Sequence, residues 1–212
     1  TLLAKVYLTF GKPAEAKTVL EEAMKNTAYG LETTTKRVFD VSNKMNKEII
    51  FALYYNKTND NGHGYWYSAN TEVLADIRNP TPEFKAIYDG EKDNRLPLIS
   101  TYTKISSNLF AMNKWYDTYD ATYTDQVGND FPHLRYADVV LMYAEALAES
   151  GGSLDDALVW LNKTRVRAGL DELTTDEVKS LAEFRRELAD ERGREFALEG
   201  HRWFDLVRLG LA

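Results

Sequence analysis

Three consecutive aromatic residues in the segment GHGYWYSAN are the clearest candidates for ligand chemistry in this sequence. Side chains on a strand alternate between two faces, so three adjacent rings cannot all point into one core. Aromatic faces stack on the C–H side of a pyranose, while imidazole and amide groups hydrogen-bond its hydroxyls. The segment is therefore a candidate for sugar binding, and folding of the rings back over a helical core stays open beside it. The predicted contacts are Trp66, Tyr65 and Tyr67 for stacking and His63 and Asn70 for hydrogen bonds.

A second aromatic group follows further along the chain. Trp115 comes directly after Lys114 in a pattern typical of a strand end, and we expect it to pack. Tyr119 and Tyr123 lie in a stretch rich in Asp and Thr, which makes them further candidates for ligand contact. Residues 51–136 hold 16 of the 26 aromatic residues, so the middle of the chain is where a binding surface is expected.

Metal and cofactor chemistry has little support in the sequence. The chain has no cysteine, and its three histidines, His63, His133 and His201, lie far apart. We therefore expect neither a metal centre built on thiolates or histidines nor a cofactor. The stretch NKTNDNG (56–62) alternates oxygen ligands as a calcium loop does, but its glycine comes one place late and the closing Glu is missing. An EF-hand is thus rejected, while an isolated calcium site stays open.

A dense cluster of charges near the C-terminal end is the place to look for a general acid. Carboxylates from Glu187 to Glu199 alternate with arginines, among them Arg192 and Arg194. Carboxylates paired with arginine have lowered pKa values, which suits structural ion pairs better than proton donation. The sequence contains no nucleophile elbow, phosphate loop or dinucleotide fingerprint. The residues therefore favour structural ion pairs in this cluster, and a glycoside hydrolase stays open as a catalytic alternative.

Helical hairpins are predicted near both ends of the chain. Apolar residues recur at helical spacing in residues 1–26 and again in residues 135–150, where they form one face. Glycines end the first helix of each pair, and Pro13 suits the first turn of its partner. One spacing is shared by Gly11, Ala16 and Leu20 and by Gly152, Ala157 and Leu161. This repeat resembles tetratricopeptide units.

A further helix is predicted to begin at a capping box formed by Thr174 and Glu177. Its apolar stripe continues into Arg192, Glu195 and Glu199, and charges on an inward face must pair or face a cavity. The following segment GHRWFDLVR offers Arg202, Asp205 and Arg208 as partners, and its RWF run is expected to pack. Gly193 lies inside this helix, where glycine costs about 1 kcal/mol relative to alanine.

The middle of the chain, residues 27–134, has a different character. A strand is predicted from Glu48 to Tyr55 and a short helix from Pro82 to Tyr88. The remainder is predicted as long loops, and long loops in compact domains usually carry function. This region is therefore the expected ligand surface.

The charge and the apolar runs exclude two classes of partner. A net charge of −7 is a poor match for the phosphates of nucleic acid. The longest apolar run, Ile49 to Tyr55, is far shorter than the roughly 20 residues that span a bilayer. Because the chain starts at Thr1, already in a helical pattern and without a signal-peptide layout, we expect a fragment or a processed product.

Taken together, the motifs resemble one known family. The chain is similar to the C-terminal half of SusD/RagB-type proteins in the runs LRYADVVLMYAEALAESGG, ALVWLNKTRVRAGL and ERGREFALEGHRWFDLVRLG. Upstream, LLAKVYLTFGKPAEAKTVLEEAM resembles the last tetratricopeptide-like hairpin of that family, and EIIFALYY and DNRLP resemble the segments that follow it. The position of Gly193 departs from the family, which usually has a better helix former there.

The resemblance implies a mainly α, SusD-like fold: tetratricopeptide-like helical hairpins with a loop-rich insert and a few short strands. Residues 1–26 would form a hairpin, residues 27–134 the loop-rich insert with the ligand surface, and residues 135–212 the C-terminal helical scaffold. All three would be parts of one domain that is incomplete at both ends, because family members are usually much longer.

The resemblance also implies a function. Proteins of this kind are surface-exposed lipoproteins of the outer membrane that bind glycans without catalysis and deliver them to a TonB-dependent SusC-type transporter. Membrane attachment would come from a lipid anchor outside these residues. The alternative is a protein-binding helical scaffold of the uptake complex without direct glycan contact. Glycan contacts in the family come from variable loops, so the residues in shared motifs are predicted to be scaffold: Arg135, Tyr136, Glu145, Asn162, Arg165, Arg167, Glu199, Arg202, Trp203 and Asp205.

Overall fold

The computed structural model describes residues 1–55, 81–100, 113–115 and 128–212, together with the backbone of five short strands between them. The helices are α1 (Leu2–Thr9), α2 (Pro13–Met24), α3 (Thr35–Val38), α4 (Pro82–Lys85), α5 (Leu96–Ser100), α6 (Tyr136–Glu149), α7 (Leu154–Arg167), α8 (Leu181–Glu195) and α9 (Arg202–Leu209). The strands are β1 (Ile49–Leu53), β2 (His63–Gly64), β3 (Ser68–Ala69), β4 (Tyr102–Ser106), β5 (Leu109–Met112), β6 (Gln126–Val127) and β7 (Phe131–Arg135).

Two helical hairpins form the centre of the fold, as the sequence predicts. Helices α1 and α2 pack together, α6 and α7 pack together, and α2 lies against α6 to join the pairs. The repeated small and large residues, Ala16, Leu20, Ala157 and Leu161, are fully buried in this joint core. Small side chains on facing helices allow the helix axes to approach closely, which explains why the same spacing occurs in both hairpins.

The glycines between the paired helices have two different physical roles. Gly11 ends the first hairpin's α1 with a φ of +66°, and Gly151 does the same after α6 with a φ of +80°. Gly152 has ordinary backbone angles, but a Cβ atom there would lie 2.6 Å from the carbonyl oxygen of Leu147. The spacing repeat aligns Gly11 with Gly152. In the structure, however, the left-handed turn after α6 is made by Gly151, and Gly152 serves close packing.

Helix α6 is buried on every side. The sequence predicts one apolar face, whereas all positions from Ala137 to Ala148 are buried, Asp138 and Glu145 included. The single-face prediction is wrong because α6 is enclosed by α2, α7 and α8 and continues directly from β7. Its two buried carboxylates consequently need cationic partners from other elements.

The start of α8 differs from the prediction. Thr174 and Glu177 make one half of the predicted capping box, with Glu177 Oε2 accepting from the Thr174 backbone N–H at 3.0 Å, but they close an isolated turn. The helix begins at Leu181, where Ser180 accepts from the backbone N–H of Glu183 at 3.2 Å. Glu183 in turn accepts from the backbone N–H of Lys179 at 2.8 Å, so this second pair performs the capping.

The strands are few and short. β1 pairs antiparallel with β7, and the end of β7 leads directly into α6. The backbone of β2 pairs with β6, and β5 lies between β3 and β4. The chain is therefore mainly helical with short strands in its middle, as predicted. Among the described helices, none has the length and apolar character that crossing a bilayer requires.

Candidate functional site

The predicted sugar contacts lie in the part of the chain whose side chains are not described. Tyr65, Trp66, Tyr67 and Asn70 fall outside the described residues, and only the backbone of His63 is included, where it pairs with Val127. The calcium-like stretch and the further candidates Tyr119 and Tyr123 also fall outside them. These assignments therefore stay predictions, and the described residues show instead how the scaffold holds the middle region.

A first anchor joins the two ends of the stretch 56–127. Asp130 Oδ1 accepts from the backbone N–H of Tyr55 at 3.0 Å and from Lys44 Nζ at 2.7 Å. Lys44 Nζ also donates to the carbonyl oxygen of Tyr55 at 2.5 Å. β1 and β7 pair immediately beside this contact. The residues on either side of the stretch are therefore held together at one place on the scaffold.

A second anchor, at residues 114 and 115, lies in the last quarter of the same stretch. Trp115 is buried, stacked on Phe131 at 5.2 Å between ring centroids and edge-on to Phe39 at 4.9 Å, which confirms the prediction that it packs. Its neighbour Lys114 donates to Glu199 Oε1 at 2.7 Å. Burial lowers the pKa of Lys114, and Glu199 opposes that shift. The ammonium is thus enclosed in the scaffold rather than presented to a ligand.

A third anchor is provided by the DNRLP segment. Arg95 is buried, and its guanidinium binds Asp93 at 2.8 Å, Glu191 at 2.7 Å and Glu195 at 3.1 Å. Nearby, the hydroxyl of Tyr88 donates to the carbonyl oxygen of Arg194 at 3.1 Å. These contacts join the segment before α5 to the buried face of α8, more than ninety residues away in sequence.

Arg135 is the centre of the buried charge network. It ends β7 and precedes α6, so the antiparallel pairing of β1 and β7 directs its side chain into the interior. Its guanidinium binds Glu48 at 2.7 Å, Glu195 at 2.5 Å and Glu199 at 2.8 Å. Arg167 from α7 also binds Glu48, at 2.7 Å, and Glu195. One network therefore joins the strands, α7, α8 and the second and third anchors.

The electrostatics of this network are those of structural ion pairs. Burial by itself raises the pKa of Glu195, but Arg167, Arg135 and Arg95 prevail and hold that pKa well below its usual range. Glu199 behaves in the same way, with Arg135 and Lys114 lowering its pKa against burial. The interpretation of the charged stripe as structural ion pairs is confirmed at these positions, because ionised, enclosed carboxylates do not donate protons.

Glu48 differs from its two neighbours in the direction of its shift. Burial raises the pKa of this carboxyl despite the opposing effects of Arg167 and Arg135. Glu48 is fully buried and accepts from the backbone N–H of Glu32 at 2.7 Å in addition to its arginine contacts. A substrate therefore has no access to it, and the raised pKa does not make it a candidate general acid.

A second charge cluster ties α9 to the helical core. Arg192 binds Asp138 at 2.8 Å and Asp205 at 2.9 Å, so the predicted partner Asp205 is confirmed. Arg208 pairs with Glu145 and, at 2.9 Å, with Asp205. Asp205 thus pairs with Arg192 of the inward stripe as predicted, whereas Arg208 pairs with Glu145 of α6 instead of a carboxylate of the stripe.

Arg202 takes a different position from the one expected. Its guanidinium binds Asp190 at 3.3 Å and the carbonyl oxygen of Ala189 instead of the carboxylates of the inward stripe. A Cβ atom on Gly193 would lie 2.8 Å from Nη1 of Arg202 and 3.1 Å from Ile87 Cδ1. Glycine at this helical position thus leaves room for the Arg202 side chain as it lies in this structure.

The RWF run is only partly the packing element that the sequence predicts. The rings of Trp203 and Phe204 are 65% and 72% exposed, so the prediction that they pack is wrong for both within this chain. Helix α9 turns Asp205 and Leu209 inward, which places these rings on its outer face. The preceding residue, His201, is packed: it stacks on Phe196 at 4.7 Å, and burial lowers its pKa to about 4.

Sequence reasoning missed the principal partners of Glu195 and Glu199. Arg135, Arg167 and Arg95 come from three other elements. Glu48, which shares Arg135 and Arg167, is the residue just before β1. Two sequence signals could have identified partners of this kind. Arg135 lies at the end of a strand and Arg95 lies within DNRLP, and both are next to apolar residues. Among the described residues, no set of three His, Asp or Glu side chains is placed to hold a metal.

Comparisons with known proteins support the architecture. The SusD-like protein P2 of Formosa agariphila is 28% identical over 99% of this chain and 49% of its own length. The starch-binding protein SusD of Bacteroides thetaiotaomicron is 43% identical over 43% of this chain and 14% of its own length. The match to P2 therefore covers nearly all of this chain, and the chain spans about half of the length of P2.

Solved structures show the same fold. A SusD superfamily protein from Parabacteroides distasonis matches 98% of this chain and 50% of its own, with 22% identity and a TM-score of 0.77. Surface glycan-binding protein A from Bacteroides thetaiotaomicron, in complex with laminarihexaose, matches 99% of this chain and 53% of its own, with 20% identity and a TM-score of 0.70. The profile of the SusD family matches residues 88–212, more than half of the chain. The chain therefore belongs to the SusD family.

Proposed function

We propose that this chain is part of a non-catalytic glycan-binding protein of the outer-membrane surface, which passes oligosaccharides to a TonB-dependent SusC-type transporter. Membership of the SusD family supports the class, and two relatives are named for starch binding and for a complex with laminarihexaose. In this proposal the aromatic residues Tyr65, Trp66 and Tyr67 stack on the sugar, and His63 and Asn70 bind its hydroxyls.

The observation that carries the proposal is the anchoring of the middle region. Its ends meet at Asp130, Lys114 and Trp115 hold its C-terminal part, and Arg95 holds the segment before α5. Three contacts among the described residues thus tie this region to the scaffold, which supports the middle of the chain as the place of a ligand surface. Catalysis needs an accessible carboxylate with a matched pKa, and Glu195 and Glu199 are enclosed ion pairs.

Isothermal titration calorimetry against a glycan panel tests the proposal. The panel includes laminarihexaose and starch-derived maltooligosaccharides. Each glycan is also incubated with the protein, and any released sugar is measured separately. Trp66→Ala is expected to weaken the best ligand at least tenfold, which corresponds to ~1.4 kcal/mol. Trp203→Ala is the matched control, because it removes an exposed indole that is not among the predicted sugar contacts.

Each outcome separates the proposal from its alternatives. Equal affinity of the native chain and Trp66→Ala would show that the rings were assigned to the wrong role. A blank panel, combined with retention of the transporter in a pull-down, would favour a protein-binding helical scaffold of the uptake complex. Release of sugar that is lost on mutation of a carboxylate would favour a glycoside hydrolase.

A further inference from the structure

One cleft in the described part of the chain lies where three helices end. Its volume of about 440 Å³ is within the usual range for a small-molecule site. It is lined by Gly11, which follows α1, by Glu149, the last residue of α6, and by Gly210, which follows α9. This cleft, which we call the three-helix cleft, therefore lies beside the C-terminal ends of α1, α6 and α9.

The three helix ends give the cleft a negative electrostatic character. Each helix C-terminus carries about half a negative elementary charge, because its last carbonyl groups lack partners within the helix. This effect acts over the last turn, and Gly11, Glu149 and Gly210 lie within one turn of their helix ends. Three ends of the same sign favour a positively charged ligand and disfavour an anion.

Two arginines also line the cleft, but both already bind carboxylates. Arg185 donates to both oxygens of Glu149, at 2.6 and 2.7 Å. Arg208 donates to Asp205 at 2.9 Å and to Oε1 of Glu145. The arginines are thus engaged in ion pairs, and they do not turn the cleft into an anion site.

Glu145 has one carboxylate oxygen that accepts no hydrogen bond from the described residues. The residue lines the cleft and is only 3% exposed. Its Oε1 accepts from Arg208, whereas its Oε2 has no partner in the described part of the chain. Buried polar atoms in proteins are almost always paired. An open carboxylate oxygen beside three helix C-termini therefore marks a place for a cationic donor.

A buried chain of alternating charges explains why this oxygen stays open. Opposite charges alternate along it in the order Lys5, Asp138, Arg192, Asp205, Arg208 and Glu145. Each inner member of the chain pairs with a neighbour on either side, whereas Glu145 lies at the end and pairs with Arg208. A cation bound at Oε2 of Glu145 continues the alternation by one charge.

We propose that the three-helix cleft binds a primary ammonium group, carried by a molecule of monosaccharide size such as an amino sugar. The ammonium has three N–H donors and a positive charge, and it donates to Oε2 of Glu145. Leu8, Pro13 and Leu209 line the cleft and pack against the carbon skeleton of the ligand. A metal ion is the less suitable occupant, because within the described residues no three His, Asp or Glu side chains are placed to hold one. The site uses none of the predicted sugar contacts, so it is independent of the proposed glycan function.

Titration calorimetry of the chain with three sugars of the same ring tests the proposal. The probes are glucosamine, N-acetylglucosamine and glucose, at a pH below the pKa of the amine, so that only glucosamine carries an ammonium. Glucosamine is expected to bind at least tenfold more tightly than either of the other two. Equal affinity for all three sugars, or no binding of glucosamine, would overturn the proposal.

A matched pair of variants assigns the binding to Glu145. Glu145→Gln is expected to weaken glucosamine at least tenfold, because it removes the charge that faces the ammonium. Glu32→Gln is the control: Glu32 is also a buried glutamate paired with one arginine, Arg37, but it does not line the cleft. Its affinity for glucosamine is expected to equal that of the native chain. The same affinity in Glu145→Gln as in Glu32→Gln would overturn the proposal.

Nuclear magnetic resonance of leucine methyl groups keeps the test decisive if Glu145→Gln does not fold. It uses the native chain and follows the methyl signals during a glucosamine titration. The signals of Leu8 and Leu209, which line the cleft, are expected to shift, while that of Leu98, buried in a separate cluster, is expected to stay unchanged. Binding of glucosamine without shifts at Leu8 and Leu209 would place the amine elsewhere and overturn the proposal.

Discussion

Replacing Arg135 by methionine tests whether the buried ionic network holds the fold together. Methionine approximates the length and volume of the side chain but removes the charge. The guanidinium, which is buried, binds three carboxylates at 2.5–2.8 Å and the carbonyl oxygen of Glu195 at 2.7 Å. Breaking a buried pair by removing one partner costs about 3–5 kcal/mol, because the remaining charges stay buried.

The remaining contacts place the expected loss within that range. Glu195 keeps Arg167 and Arg95, and Glu199 keeps Lys114, so no carboxylate loses every partner. We therefore expect a loss of about 3–5 kcal/mol in the free energy of unfolding. For a chain of this length, that corresponds to a Tm lower by about 6–20 °C. Urea and thermal unfolding followed by circular dichroism measure both values.

A matched control and a pH series sharpen this test. Arg37→Met removes the half-exposed arginine that pairs with Glu32, and surface pairs contribute only about 0–1 kcal/mol. Although burial opposes it, the arginines lower the pKa of Glu195 in the folded state below its ordinary value of 4.5. The stabilisation by Arg135 is thus fully present above pH 4.5 and is lost as the pH falls through the lowered pKa.

The difference in stability between the native chain and Arg135→Met is accordingly expected to shrink below pH 4.5. Two results would refute the reasoning. One is a loss no larger than that of Arg37→Met. The other is a difference in stability that stays constant down to pH 3, because unpaired buried carboxylates must take up protons in the variant.

Further substitutions test the positions where structure and sequence disagree or where one packing contact is decisive. Ser180→Ala is expected to cost about 1 kcal/mol by removing the cap of α8, whereas Thr174→Ala, in the isolated turn, should cost clearly less in the same urea titration. Trp115→Ala is expected to cost about 3–5 kcal/mol because it empties a buried ring site, while Trp203→Ala should stay within about 0.5 kcal/mol; similar values would contradict the burial of Trp115. Gly152→Ala forces a methyl group against a backbone carbonyl at 2.6 Å, so its Tm should fall by several degrees, and an unchanged Tm would contradict that close approach.

The local elements of the fold are largely predictable from the sequence. The apolar periodicity and the glycines place both hairpins within a residue or two, because these signals act between neighbours along the chain. The start of α8 was missed for an equally local reason: two capping boxes follow each other, at Thr174 and at Ser180, and sequence alone does not rank them. The packing of Trp115 was predicted correctly, but its partners Phe39 and Phe131 were not.

The candidate site shows a similar division. Its residues were chosen from the sequence by type and spacing, and they remain predictions. The scaffold residues could be recognised as structural, since arginine alternates with glutamate on an inward face. Which charges meet could not be predicted, because Arg135 lies 60 residues from Glu195 and 87 residues from Glu48. Such pairings depend on how helices and strands are arranged, and nothing in local spacing encodes them.

The sequence by itself determined the helical hairpins, the repeat that they share and the membership of a family, because each depends on patterns within short stretches. Only the tertiary structure decided that α6 is enclosed on all sides, that one network around Arg135 joins the anchors of the middle region, and that Trp203 faces outward. The physical reason is that burial and ion pairing are properties of distant segments brought together. A helix carries the same residues whether its apolar face is covered or open, and only its neighbours in space determine which.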